Sequence, residues 1–151
     1  MRTHSIRGER GQGVVEFAVI FPLFILLVAI VFDVGLGFNR QATMQHAVRE
    51  GARFAALRDN ADAGLFVQQR TSGQSHGLVD PSDVAICYDD IDGDGSIGPG
   101  DAVDVTATYI YQPIMLRTVA GLFNSSAGDM TIATTGSARL EVALDTAGAT
   151  C

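Results

Sequence analysis

The segment DIDGDGSIGPGD, Asp90 to Asp101, has aspartates at its first, third, fifth and twelfth positions. Gly95 stands at the sixth position and Ile97 at the eighth. That spacing matches a calcium loop of the EF-hand type, in which hard oxygen donors surround the cation. Asp90, Asp92 and Asp94 would supply carboxylate oxygens, Ser96 its backbone carbonyl, and Asp101 the closing carboxylate. The aspartate at position twelve, where glutamate is usual, shortens the reach for bidentate closure. The same residues also read as a Gly/Pro/Asp turn joining two strands. Around the loop, Asp80, Asp83, Asp89, Asp90, Asp92, Asp94, Asp101 and Asp104 occur with no basic residue between them. Such crowding is repulsive unless the charges are solvated or a cation neutralises them. Calcium in loop 90–101 is the one cofactor this pattern suggests.

Other reactive residue types are sparse. Cys87 and Cys151 are the only cysteines. They can form one disulfide in an oxidising compartment, or remain two thiols. His4, His46 and His76 are scattered, and no nucleophile elbow, zinc-helix or phosphate-loop motif occurs. The chain therefore does not read as an enzyme. A net charge of -7 argues against nucleic acid as a partner.

Glu16 poses a different question. It opens a strongly apolar run, Val14 to Phe38, whose only other charge is Asp33. From Phe17 to Phe32, sixteen residues carry no polar side chain. The run is long enough to cross a bilayer, which takes roughly 20 residues, if Glu16 and Asp33 lie near the two interfaces. Before it, Arg2, Arg7 and Arg10 outweigh Glu9, so the positive-inside rule puts the N-terminus in the cytoplasm and the remainder outside. A carboxylate entering hydrocarbon costs about 2.5–3.5 kcal/mol at the bilayer centre, so such residues normally have partners. Glu16 either has one or snorkels to the headgroups at a helix start. Pro22 frees the carbonyl of Ala18 and is expected to kink the helix.

No proline interrupts Leu23 to Asn60, so one helix is expected from about Val14 to Arg58. Beyond Phe38 it becomes amphipathic. Met44, Ala47, Val48, Gly51, Ala52, Ala55 and Ala56 form a stripe of mostly small residues, which favours close packing. Arg40, Arg49, Glu50, Arg53 and Arg58 fall mostly off it, and Glu50 can pair with Arg53 three residues on.

Two motifs at this spacing carry a resemblance. One is the junction RGQGVVEF, with Gly11 followed at the fifth position by Glu16 and then by Phe17. The other is AVREGAR, Ala47 to Arg53. With the apolar run between them, they resemble the TadE-like family, pilin-like proteins of bacterial tight-adherence (Tad/Flp) pilus systems. The later segment GPGDAVDVTATYIYQP and a last strand ending near Glu141 follow that family's outline. The resemblance implies cleavage by a prepilin peptidase after Gly11, leaving Gln12 as the mature N-terminus. It implies that Glu16 pairs with the new α-amine, with Phe17 and Pro22 also serving assembly. Arg49, Glu50, Gly51 and Arg53 form the family motif on the helix. The implied partners are the cytoplasmic membrane, the peptidase, other pilins or pseudopilins, and pilus assembly proteins.

Past residue 60, Asp62–Arg70 reads as a short helix capped by Asp62, with Leu65, Phe66 and Gln69 at helical spacing. TSGQSHG reads as a turn. Strands are expected at Asp83–Tyr88, Asp101–Tyr111 and Met130–Val142, the last with a bulge at Gly136. Ile114–Phe123 reads as a short amphipathic helix, and the tail from Ala143 as irregular. On the second strand Val103, Val105, Ala107, Tyr109 and Tyr111 share one face. The expected fold is α+β and pilin-like, with a long N-terminal transmembrane helix continuing into a small outer domain with a three-stranded antiparallel sheet. The expected divisions are a leader over 1–11, the transmembrane and continuing helix over 12–58, and an extracytoplasmic domain over 59–151. Three functions fit. One is a minor pilin or pseudopilin of a tight-adherence pilus assembly and secretion system. A second is a single-pass, calcium-stabilised binding protein that never joins a filament. A third is a secreted domain released by ordinary signal peptidase, although the apolar run is longer than the usual signal core and no convincing A-x-A site follows it.

Overall fold

The computed structural model describes residues 9–57, 63–122 and 129–144. A long helix, α1 (Glu9–Ala55), is followed by α2 (Ala63–Gln74) and a single 3-10 turn at Pro81–Asp83. Then come β1 (Val84–Asp89), β2 (Ala102–Tyr111), α3 (Ile114–Leu122) and β3 (Met130–Arg139). The described residues group into two compact units. One holds α1 as far as Leu36 together with α3; the other holds α1 from Gly37, α2 and the sheet.

In the first unit, α1 is an apolar rod. Its 47 residues correspond to about 70 Å in total, and the helix passes through Pro22 without ending. It starts five residues before the expected Val14, because nothing in ERGQG forces the chain out of helix. Val14 through Phe24 present large apolar side chains with no protein cover, Phe17 and Phe21 stacking one turn apart at 5.2 Å. This is the one helix among the described residues long and apolar enough to cross a membrane. Lipid is the solvent such a surface suits.

In the second unit, α1 lies on a three-stranded antiparallel sheet of order β1-β2-β3. The stripe expected from spacing is the buried one: Met44, Ala47, Val48, Gly51, Ala52, Ala55 and Ala56 are all buried. Of these, Met44, Val48, Ala52, Ala55 and Ala56 meet Val84 and Tyr88 of β1 and Val103, Val105 and Ala107 of β2 in one core, closed by Val67, Val79, Ile97 and Leu140. On β2 the alternation expected from sequence holds, with Val103, Val105, Ala107 and Tyr111 buried and Thr106 exposed enough to pair its hydroxyl with Thr135 across the strands at 2.8 Å.

Several expectations are corrected. α2 runs on to Gln74, taking in TSGQ that reads as a turn, and the chain reverses at His76 and Gly77, both at positive φ. Its buried face is Val67 and Thr71; Leu65 and Phe66 are exposed. Asp62 and Phe123 lie outside the described residues. β3 ends at Arg139, since Leu140 turns back to bond Asp101 and Glu141 donates to Ala56. The bulge expected at Gly136 is absent: the register is unbroken from Ala102↔Arg139 to Tyr111↔Met130. Gly136 instead marks a close approach. A Cβ there would stand 2.8 Å from the carbonyl carbon of Val48, so only a glycine lets this strand touch the helix backbone.

Candidate functional site

Gly11 lies exposed within α1, with open space around it. The side-chain amide of the next residue, Gln12, donates to Glu16 Oε1 one turn on, at 3.3 Å. Glu16 and Phe17 are both exposed, as is Pro22. The far end of the apolar stretch is built differently. Asp33 is 5% exposed and its Oδ2 accepts the backbone N–H groups of Met115 (2.8 Å) and Leu116 (2.9 Å), in the first turn of α3. The preceding Pro113 has no side-chain acceptor, so Asp33 performs an N-cap's task from 82 residues away. This partner was not visible in sequence. Its signal was position only: Asp33, Gly37, Arg40 and Met44 continue the buried stripe at helical spacing.

The AVREGAR segment divides cleanly. Ala47 and Ala52 are fully buried, and Gly51 faces α2, where a Cβ would collide with Thr71 Oγ1 and lie 3.4 Å from Val105. Glu50 does not pair with Arg53. It takes Arg70 of α2 at 3.0 Å, and the Arg70 guanidinium also lies 6.0 Å from the Phe54 ring centre. Both charged side chains are over a third exposed, so the pair contributes at most about 1 kcal/mol. Arg49 and Arg53 point outward on one helix face. Arg58 lies outside the described residues.

Arg40 is a second residue whose role the spacing concealed. Its guanidinium donates to the Tyr109 hydroxyl and lies 5.7 Å and 5.5 Å from the ring centres of Tyr109 and Tyr111. Gly37 lies beside the Tyr111 ring, where a Cβ would stand at ordinary contact distance, 3.5 Å. The tyrosines alternate on β2, and Arg40 sits on the stripe that faces them. Those two periodicities together were the available signal.

In the aspartate loop, Asp90, Asp92 and Asp94 converge, offering carboxylate oxygens all within 4.8 Å of one another. Local amides hold them: Asp90 accepts from Gly93 (2.7 Å) and Gly95 (2.9 Å), Asp92 from Asp94 (3.1 Å), and Asp94 from Ser96. Gly93, Gly95 and Gly100 have positive φ, which lets the chain fold back this tightly. The Ser96 hydroxyl and then its N–H hold Asp94 below the usual carboxylate range. For Asp92 the Asp94 N–H pulls downward, but desolvation, the Asp94 charge, sharing with Asp90 and the Asp101 charge together push it up. Asp101 is not in the converging group. It is buried, and its two oxygens accept from Ile91 (2.9 Å) and Gly98 (2.7 Å), closing the base of the loop. Ser96 is engaged through its hydroxyl, which donates to Asp94 at 2.6 Å. An exposed triad of this kind can bind a metal ion. Cys87 on β1 is disulfide-bonded; Cys151 lies outside the described residues.

A single long apolar helix, continuing onto a small antiparallel sheet with short helices, defines an α+β, pilin-like chain with the features of a single membrane anchor. Residues 11–53 match the family model described as TadE-like protein, so this part of the chain is a TadE-like domain. Comparison with curated proteins and with solved structures gives no match. The TadE-like match opens at Gly11 and closes at Arg53, the last residue of AVREGAR. Proteins of this pilin-like family are associated with Tad pili and are generally structural, not enzymatic.

Proposed function

We propose that the chain is a minor pilin or pseudopilin of a tight-adherence (Flp-type) pilus assembly and secretion system, cut by a prepilin peptidase after Gly11. The observation that carries this reading is the TadE-like match, which begins at that glycine and covers the whole apolar half of α1. On this reading residues 1–11 are a cytoplasmic leader, 12–58 the anchoring helix and its extension, and 59–151 an extracytoplasmic domain. Cleavage gives Gln12 a free α-amine. Glu16 stands one helical turn away and already faces Gln12, so the new cation can neutralise it, on the same copy or a neighbour. Phe17 and Pro22 belong to the same apolar contact surface. Arg49 and Arg53, left outside the fold's own packing, are the motif residues available to other pilins or assembly proteins.

The mature N-terminus, read by mass spectrometry in cells with and without the peptidase, tests the proposal. A start at Gln12 that reverts to an intact N-terminus without the enzyme supports it. An uncut chain in both favours a single-pass binding protein outside the filament, and a start beyond residue 30 a secreted domain. Glu16→Ala should block assembly; normal assembly would remove the amine-pairing argument.

Convergence of Asp90, Asp92 and Asp94 favours calcium as the ion of the 90–101 loop. Calorimetry of the full chain in detergent should show its transition raised by millimolar calcium and lowered by chelator. An unmoved transition rejects the ion.

A further inference from the structure

We propose that the first turn of α3 is a second lipid-contacting element, docked on the anchor by Asp33 and seated in the bilayer interface at that end of α1. The inference rests on the reading of α1 as a single membrane anchor. Ile114, Met115 and Leu116 are consecutive, apolar and exposed, at 65%, 46% and 43%. Their backbone is fixed to the anchor, because the N–H groups of Met115 and Leu116 bond Asp33. The three side chains therefore stand at the level of Phe32 and Val34, which are themselves uncovered. One apolar surface thus runs from the anchor onto α3, and what covers the first part covers the second.

The depth is consistent. Asp33 stands seventeen positions after Glu16, about 25 Å of helix, against a hydrocarbon core of about 30 Å. Asp33 falls near the edge of that core, where an unpaired carboxylate would be costly. Two N–H groups at the positive end of a helix meet its need, and the helix that supplies them brings apolar side chains to the same depth. Arg117 follows directly and is exposed. Apolar side chains beside a basic one suit the interfacial depth, where the apolar part meets the acyl boundary and a charge is tolerated at the headgroup level.

The sequence has no tryptophan, so a single introduced one reports without background. Leu116→Trp and Ile114→Trp would each be made in the full chain, with Phe24→Trp as the mid-anchor control. Each is reconstituted into phosphatidylcholine vesicles brominated either near the headgroup or near the chain end. The expected result is blue-shifted emission from both α3 positions, quenched mainly by the shallow bromine, and quenching of Phe24→Trp mainly by the deep one. Water-like emission from both α3 positions with a quenched Phe24→Trp overturns the proposal and leaves the anchor intact. Blue-shifted emission that no bromine quenches also overturns it, by showing a protein cover such as a second copy. If Phe24→Trp escapes both bromines, the anchor reading falls and this inference with it. Two α3 positions guard against one variant misfolding.

Discussion

Gly136 of β3 rests directly on the carbonyl of Val48 in α1, closer than any side chain would allow. A strand and a helix meet here backbone to backbone, with Val105 of the central strand opposite Gly136 in the register. Gly136→Ala should therefore force β3 away from α1. The obstacle is main chain and not the tip of a flexible side chain, so relief is costly. We expect a loss of about 1–3 kcal/mol, read as a lower denaturant midpoint for the full chain in detergent with an unchanged slope. A wild-type midpoint would mean that the contact is slack.

That contact also shows where sequence reading reaches and where it stops. The α1 stripe and the inward face of β2 were legible because burial imposes periods of 3.6 and 2 on residue type. Gly136 stood out within its strand, but a strand glycine signals either a bulge or a close approach, and only the partner decides which. The pairing of Glu50 with Arg70 depends on where α2 lands, and local spacing favoured Arg53 instead. In the loop, the convergence of Asp90, Asp92 and Asp94 follows from spacing through local turns. The burial of Asp101 depends on Leu140, far away in sequence, which bonds its backbone.

Gly51 and Thr71 form a second contact of the same type, between α1 and α2, but here one side is a side chain. Gly51→Ala places a methyl on the Thr71 hydroxyl, which itself donates to the Val67 carbonyl at 2.8 Å. The single substitution should cost about 1–3 kcal/mol. Adding Thr71→Ala removes the hydroxyl and should recover part of the loss, giving a favourable coupling of about 0.5 kcal/mol or more. Strict additivity in the double-mutant cycle would show that the two residues do not meet as described.

Thr134 offers a test in the opposite direction. Its hydroxyl is the one buried side-chain oxygen or nitrogen without a hydrogen-bond partner among the described residues. Leaving such a group buried costs about 1–3 kcal/mol. Thr134→Val keeps the β-branched shape on a strand while removing the unmet polar atom. The variant should be more stable than wild type, by up to about 1 kcal/mol. A lower melting temperature would mean that the hydroxyl has a partner after all.

Cys87 is disulfide-bonded, and a bridge to Cys151, the other cysteine of the sequence, ties the edge strand β1 to residue 151. Closing a loop of this length stabilises by about 4 kcal/mol in the chain-entropy account. Cys151→Ser should lower the midpoint by about that amount, and reductant should lower wild type but leave the variant unchanged. Equal sensitivity of both to reductant would exclude the bridge.

The cap supplied by Asp33 leads to the last prediction, and two substitutions separate its parts. Asp33→Leu removes both acceptor oxygens and leaves the N–H groups of Met115 and Leu116 without their partner. Asp33→Asn keeps a carbonyl oxygen that can accept them and discards the charge. Losing an N-cap acceptor costs about 0.5–2 kcal/mol, and 1.4 kcal/mol corresponds to a tenfold change in a local opening equilibrium. Amide exchange of Met115 and Leu116 should therefore accelerate roughly tenfold in Asp33→Leu. In Asp33→Asn it should change much less if the hydrogen bonds dominate, and nearly as much if the charge against the α3 dipole dominates. Protection elsewhere in α1 should stay at its wild-type level in both variants, since no backbone bond of that helix depends on the carboxylate. Unchanged exchange at Met115 and Leu116 in Asp33→Leu would show that α3 is held by its own packing and that Asp33 only accompanies it.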